Sequence, residues 1–172
     1  MFKYLISSVF ALFLMQSSAV AEEKMEMFQL PADCEEIELD MIKCPLAEDV
    51  GMDDAADSMK LRANMLNFKL VAHMPLSEQV KAMGGESPRM EIYQFCDAMI
   101  AAQMVDQNLA FAGFLPCRIA LVEDNKGKPW VVTLNMDKTL GRAKLPENLI
   151  GMGMKVRNNI YSIISAGAMG DL

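Results

Sequence analysis

The tetrad Asp124-Asn125-Lys126-Gly127 constrains this chain more than any other feature. Gly supplies the positive φ that a tight turn needs, and Asp and Asn bond readily to their own backbone. The turn sits between two apolar segments, Cys117–Glu123 and 130–136. In the second, Trp130, Val132, Leu134 and Met136 lie on one face of a strand, and Val131, Thr133 and Asn135 on the other. Two alternating runs around such a turn read as a hairpin. Antiparallel pairing is therefore built into the fold, and a purely parallel sheet is excluded.

The rest of the chain supplies helices and further strands. Asp53 or Asp54 is placed to cap a helix running to about Leu66, in which Met59, Ala63 and Leu66 share a face. Residues 67–73 alternate as a strand, with Phe68, Leu70 and Ala72 against Lys69, Val71 and His73. A short helix starts at Ser77, turns Val80 and Met83 inward, and stops at Gly84-Gly85. Residues 90–95 read as a strand, and Asp97 as the cap of a helix carrying Ile100, Met104 and Val105. Asp137 or Lys138 opens a short helical stretch that ends at Gly141. Pro146 opens a last helix with Leu149, Met152, Val156, Ile160 and Ile163 at helical spacing, where Gly151 and Gly153 allow a close approach or a bend. The order predicts an α+β fold: a two-layer sandwich with a mixed or antiparallel sheet of about four strands and helices mainly on one face.

The first residues set the compartment. Lys3 gives a positive start, an apolar run extends from Leu5 to Met15, and Ala19-Val20-Ala21 is a small-x-small cleavage site. This is the order of a secretory signal peptide, and the run is shorter than the roughly 20 residues of a membrane span. Residues 1–21 are expected to be removed, leaving an acidic arm at 22–54 and a single α+β domain at 55–172. Without Lys3, 15 Lys plus Arg face 23 Asp plus Glu, a net charge of −8. That balance argues against nucleic acid and anionic lipid as partners. No stable membrane anchor is expected after cleavage, and the expected address is periplasmic or secreted.

An even count of cysteines in an exported chain points to disulfides. Cys34, Cys44, Cys96 and Cys117 allow three connectivities, and loop-closure entropy favours the pairs nearest in sequence, Cys34–Cys44 and Cys96–Cys117. Cys96 and Cys117 have other readings. A thiol just before a helix feels the positive end of its dipole, which favours thiolate, and Arg118 adds to this if it turns the same way. The two sulfurs meet only if their strands are antiparallel neighbours. Cys96, Met99 and Cys117 also form a weak soft-metal set, since thioether and thiolate suit Cu(I). The 17 methionines are otherwise scattered, as core filling would have them. His73 is the only histidine; it is a packing or surface residue, or pairs with a cysteine or carboxylate across the sheet. The stretch 108–116 is a loop of unusual apolarity, with Leu109, Phe111, Phe114 and Leu115, and is expected to cover the core or line a pocket.

Two motifs carry a resemblance. One is Ile92-Tyr93-Gln94-Phe95-Cys96-Asp97-Ala98. The other is Phe114-Leu115-Pro116-Cys117-Arg118 running into Glu123-Asp124, the Gly127 turn and Val131-Val132. A strand ending in Phe-Cys, a helix, then Leu-Pro-Cys-Arg entering a strand resembles the domain of unknown function 302 family over roughly residues 66–140. The resemblance implies a compact α+β domain without a settled reaction, and marks Cys96, Pro116, Cys117 and Arg118 as motif positions. With no nucleophile elbow and no Cys-x-x-Cys, the chain reads as a non-catalytic exported binding or interaction domain needing no cofactor. Its expected partner is a small molecule or a protein of the cell envelope; the alternative is thiol-based redox or sulfur handling at Cys96 and Cys117. Intact-mass measurement of the exported protein is expected to give a chain beginning at Glu22, and a mass that retains residues 1–21 would remove the signal-peptide reading.

Overall fold

The computed structural model describes residues 26–171. The segment read as a signal peptide lies outside the described residues. In chain order the strands are β1 (Glu35–Ile37), β2 (Met41–Pro45), β3 (Lys69–Pro75), β4 (Met90–Cys96), β5 (Cys117–Glu123) and β6 (Pro129–Leu134). The α-helices are α1 (Met52–Met65), α2 (Leu76–Ala82), α3 (Ala98–Gln107), α4 (Met136–Ala143) and α5 (Glu147–Met169). Short 3-10 turns occupy Glu38–Asp40 and Leu109–Phe114.

The sheet has six strands in the order β1-β2-β6-β5-β4-β3, and every pairing is antiparallel. The expected hairpin is β5–β6, with Leu121 opposite Val131 and Val122 opposite Trp130. The expected four strands fall short by two. β1 and β2 come from the segment read as an acidic arm, and β2 pairs along β6 from Met41–Leu134 to Pro45–Trp130. Glu35 stands opposite Lys43, so Cys34 and Cys44 continue that register, and their sulfurs are bonded as expected. Residues 26–28 are also anchored: Arg157 Nη1 donates to the Phe28 carbonyl at 2.5 Å, and Asn158 bonds to the Phe28 amide and the Glu26 carbonyl.

Alternation decides which face is buried. Ile42 and Cys44 of β2, Val131 and Thr133 of β6, Ile119 and Leu121 of β5, and Tyr93 and Phe95 of β4 are all buried. All but the polar Thr133 form one core with Met59 and Ala63 of α1, Ile100 and Met104 of α3, and Ile160, Ile163 and Ile164 of α5. Each fully buried large apolar side chain contributes roughly 1.5–3 kcal/mol of transfer free energy. The opposite face carries Trp130, Val132 and Leu134, the more apolar row of the hairpin, and these stay only half-buried.

Several local expectations change in the structure. α1 begins at Met52 with no side-chain cap, and Asp53 and Asp54 lie in its first turn, where they favour the helix dipole. Met83 is 88% exposed, because α2 ends at Ala82 and the chain turns at Gly84 with φ +83. Asp97 caps α3 through the amides of Met99 and Ile100, as its position indicates. Among the described residues no helix is long and apolar enough to cross a membrane.

The helical layer depends on one contact. A Cβ on Gly167 of α5 would lie 2.6 Å from Cγ of the fully buried Met59 and 3.4 Å from the Ala55 carbonyl oxygen of α1. Gly167→Ala is expected to lower stability by about 1–3 kcal/mol in urea unfolding. At Gly151 of the same helix a Cβ meets nothing within 4 Å, so Gly151→Ala is expected to raise it by about 0.5–1 kcal/mol. Effects of equal sign would contradict this packing.

Candidate functional site

A cavity of about 750 Å³ opens where β2 and β5 begin and β6 ends. One wall is the end of the sheet, to which both faces contribute: Cys117 and Thr133 from the core face, and Ala120, Val132 and Leu134 from the half-buried one. The register sets Ala120 of β5 against Val132 of β6, and Leu134 against Met41 of β2, with Arg118 on the same face. A second wall is the 3-10 turn and the residues after it: Phe111, Phe114, Leu115 and Pro116. Met136, Leu140 and Ala143 of α4 close a third side, with Gly153 and Val156 of α5 at the back. The apolar loop singled out in the sequence therefore faces a cavity through Phe111, Phe114 and Leu115. Leu109 does not line it; it starts the 3-10 turn and is 79% exposed. Phe111 and Phe114, three residues apart, share one side of the 3-10 turn, and Leu109 is out of that register.

Polar groups around the cavity are few. Asp40 of the β1–β2 connection pairs with Arg142 of α4 and also with Lys138, at 3.3 Å, while Lys138 reaches Glu36. Arg142 first, and then Lys138, hold the Asp40 carboxyl below its ordinary value. Thr133 donates its hydroxyl to the Arg118 carbonyl at 2.8 Å. Among the described residues no carboxylate lies within ion-pair distance of the Arg118 guanidinium.

Cys96 and Cys117 are both free thiols, so the expected second disulfide is absent from the structure. Their strands are antiparallel neighbours, the condition for meeting, yet the register defeats it. Cys117 stands opposite Phe95, not Cys96, and takes the core face with it. Cys96 is the next residue along β4 and leaves by the other face. The expected activation is also missing. Burial first, and then the neighbouring Asp97, raise the Cys96 thiol above its ordinary value. Asp97 occupies the helix start whose dipole was to favour thiolate. Burial pushes the Cys117 thiol up to about 12. Both groups are neutral near pH 7, which is not the state of an attacking or metal-binding sulfur. Met99 is 73% exposed, and among the described residues no group of three or more His, Cys, Asp or Glu side chains gathers as a metal would require.

A polar cluster, of which the sequence offers only a cross-sheet partner for His73 as one alternative, lies at the other end of β4. Glu91 is buried at 8% exposure and accepts from Arg89 Nε at 2.5 Å, from the Tyr93 hydroxyl at 2.5 Å, and bonds His73 Nε2 at 2.7 Å. Arg89 also reaches Asp53 of α1 at 2.7 Å. A β-bulge creates this site. The register of β3 on β4 slips between Leu70 and Ala72, so His73 falls opposite Tyr93 and stacks on its ring at 4.4 Å. The expected alternation of residues 67–73 breaks at that point, and His73 finds its carboxylate across the sheet. With three donors on one carboxylate, the cluster cross-links β3, β4 and α1. The signal available in the sequence was an acid in an otherwise apolar strand, Met90-Glu91-Ile92.

The geometry defines the class: an antiparallel α+β domain with a cavity at one sheet end. The chain belongs to the family described as Domain of unknown function DUF302, which it matches over residues 42–167. That span is wider than the motifs alone indicate and takes in β2 and most of α5. The fold is similar to the crystal structure of an uncharacterized conserved DUF302 protein from Bacillus stearothermophilus, with a TM-score of 0.62 and 17% sequence identity, covering 74% of this chain and 98% of that one. No curated protein matches the chain.

Burial alone would raise the Glu91 pKa, but the bonds from Tyr93, Arg89 and His73 outweigh it and hold it at about 2, against an ordinary 4.5. A carboxylate with a depressed pKa stabilises the fold above its unfolded value, and that contribution disappears as pH falls from about 4.5 toward 2. Glu91→Gln is expected to lose on the order of 3 kcal/mol at neutral pH, with the gap to the wild type narrowing across that window in urea unfolding. A gap that stays constant with pH would show that Glu91 carries no such depressed pKa.

Proposed function

We propose that this chain is an exported, non-catalytic binding domain for small apolar molecules, braced by the Cys34–Cys44 disulfide. The carrying observation is the cavity. Its volume, about 750 Å³, lies in the roughly 300–1,000 Å³ range of small-molecule sites, and its walls are mostly aliphatic and aromatic. Export rests on the charged start, apolar run and small-x-small pattern of residues 1–21. The disulfide agrees with an oxidising compartment. Cys117 serves as part of the cavity wall, where a protonated thiol behaves as a small apolar group.

The neutral fluorophore N-phenyl-1-naphthylamine tests this reading. Its emission is expected to rise in a saturable way as it enters the cavity. Ala120→Phe, on the half-buried sheet face, is expected to weaken binding at least about tenfold, because an aromatic ring there occupies the space the ligand needs. Val132→Phe does the same from the neighbouring strand, so the test does not hang on one variant. Circular dichroism reports whether each variant folds. Absence of saturable binding to the wild type, or unchanged binding by both folded variants, would refute the proposal.

A further inference from the structure

We infer that the cavity selects amphiphiles with an anionic head group, and that Arg118 is the residue that reads the charge. This rests on the apolar-ligand reading above and narrows it to a ligand class. Among the described residues, three charged side chains line the cavity: Asp40, Arg142 and Arg118. Asp40 and Arg142 satisfy each other, and Lys138 adds a second cation to Asp40. That leaves the Arg118 guanidinium as the charge on the lining without a partner among the described residues. In a chain of net charge −7, a cation is left unpaired beside an apolar hollow. A guanidinium keeps its charge at any ordinary pH and offers a planar fork that fits a carboxylate, sulfonate or phosphate.

Position supports the assignment. Arg118 follows directly on the wall residues Leu115, Pro116 and Cys117, and shares its sheet face with Ala120. It is itself exposed, so its head sits at the solvent side of a cavity whose depth is apolar. A ligand held there has its anion near water and its hydrocarbon or aromatic body against Phe111, Leu134 and Val132. The low-dielectric walls strengthen such a charge pair relative to one on an open surface. A neutral ligand fills the same depth and forgoes that contact.

A matched pair of probes isolates the charge. 8-Anilinonaphthalene-1-sulfonate is N-phenyl-1-naphthylamine with one sulfonate added, so the two share an apolar body. Fluorescence titration of the wild type is expected to show saturable binding of both. Arg118→Gln is expected to weaken the sulfonate about ten- to hundredfold, the range of a charge-assisted bond, and to change the neutral probe less than about twofold. Arg118→Lys is expected to recover part of the loss. Ala120→Phe, which blocks the cavity, is expected to weaken both probes. If Arg118→Gln leaves the sulfonate unchanged, or weakens both probes equally, the inference falls while the apolar-binding reading stands. If the neutral probe does not bind the wild type, the apolar-binding reading itself has failed. If sulfonate binding survives Ala120→Phe and Val132→Phe, the anion sits elsewhere and the inference falls.

Discussion

The sheet has two apolar faces and one full helical layer, and this imbalance governs the rest of the structure. α1 and α5 pack against each other at Gly167 closely enough that no side chain fits between, and together they cover the face bearing Val131, Ile119, Tyr93 and Phe95. Among the described residues, Trp130, Val132, Leu134 and Ala120 on the opposite face stay only half-buried. Exposed apolar rows of that kind are costly in water. At the end where β2 and β5 begin, the sheet is closed only by smaller pieces: the 3-10 turn after α3, the short α4, and the connection between β1 and β2. Short elements do not close that end of the sheet to crystal-like density, and the space they leave is the cavity.

The polar groups are arranged around that frame. At one end of β4, Glu91 gathers Arg89, Tyr93 and His73 and ties the edge strand β3 to the sheet. On the α5 side, Arg157 is buried and bidentate to Asp137, and lies over the Tyr161 ring at 4.3 Å. It also holds the Phe28 carbonyl, so one guanidinium joins the N-terminal segment, α4 and α5. Asp40 with Arg142 and Lys138 then pins the β1–β2 connection to α4 across the cavity. These pairs are placed where backbone segments meet, and they are already satisfied within the protein. Among the described residues, the one charge on the cavity lining outside these pairs is Arg118.

The two motif cysteines show how far a residue pattern reaches. Their neighbourhood in an exported chain makes a disulfide the natural expectation, and their strands do run antiparallel side by side. A one-residue offset in register, Phe95 rather than Cys96 opposite Cys117, sends the sulfurs to opposite faces. Cys34 and Cys44 differ only in that their offset is zero across a short hairpin. Loop length was the same kind of argument for both pairs, and register separated them.

Read alone, the sequence determined what depends on near neighbours. The β5–β6 hairpin, the Asp97 cap, the start of α5 at Pro146, the Cys34–Cys44 pairing and the apolar character of residues 108–116 all follow from spacings of a few residues. Tertiary structure decided what depends on which face meets which partner. It placed the less apolar row of β6 inward, inserted the bulge that turns His73 toward Glu91, and recruited residues 35–45 into the sheet. It also turned Phe111, Phe114 and Leu115 toward the cavity while leaving Leu109 in solvent. The physical reason is that side chains alternate with a period of two residues, so a shift of one position exchanges inside for outside, and only the assembled sheet sets that position.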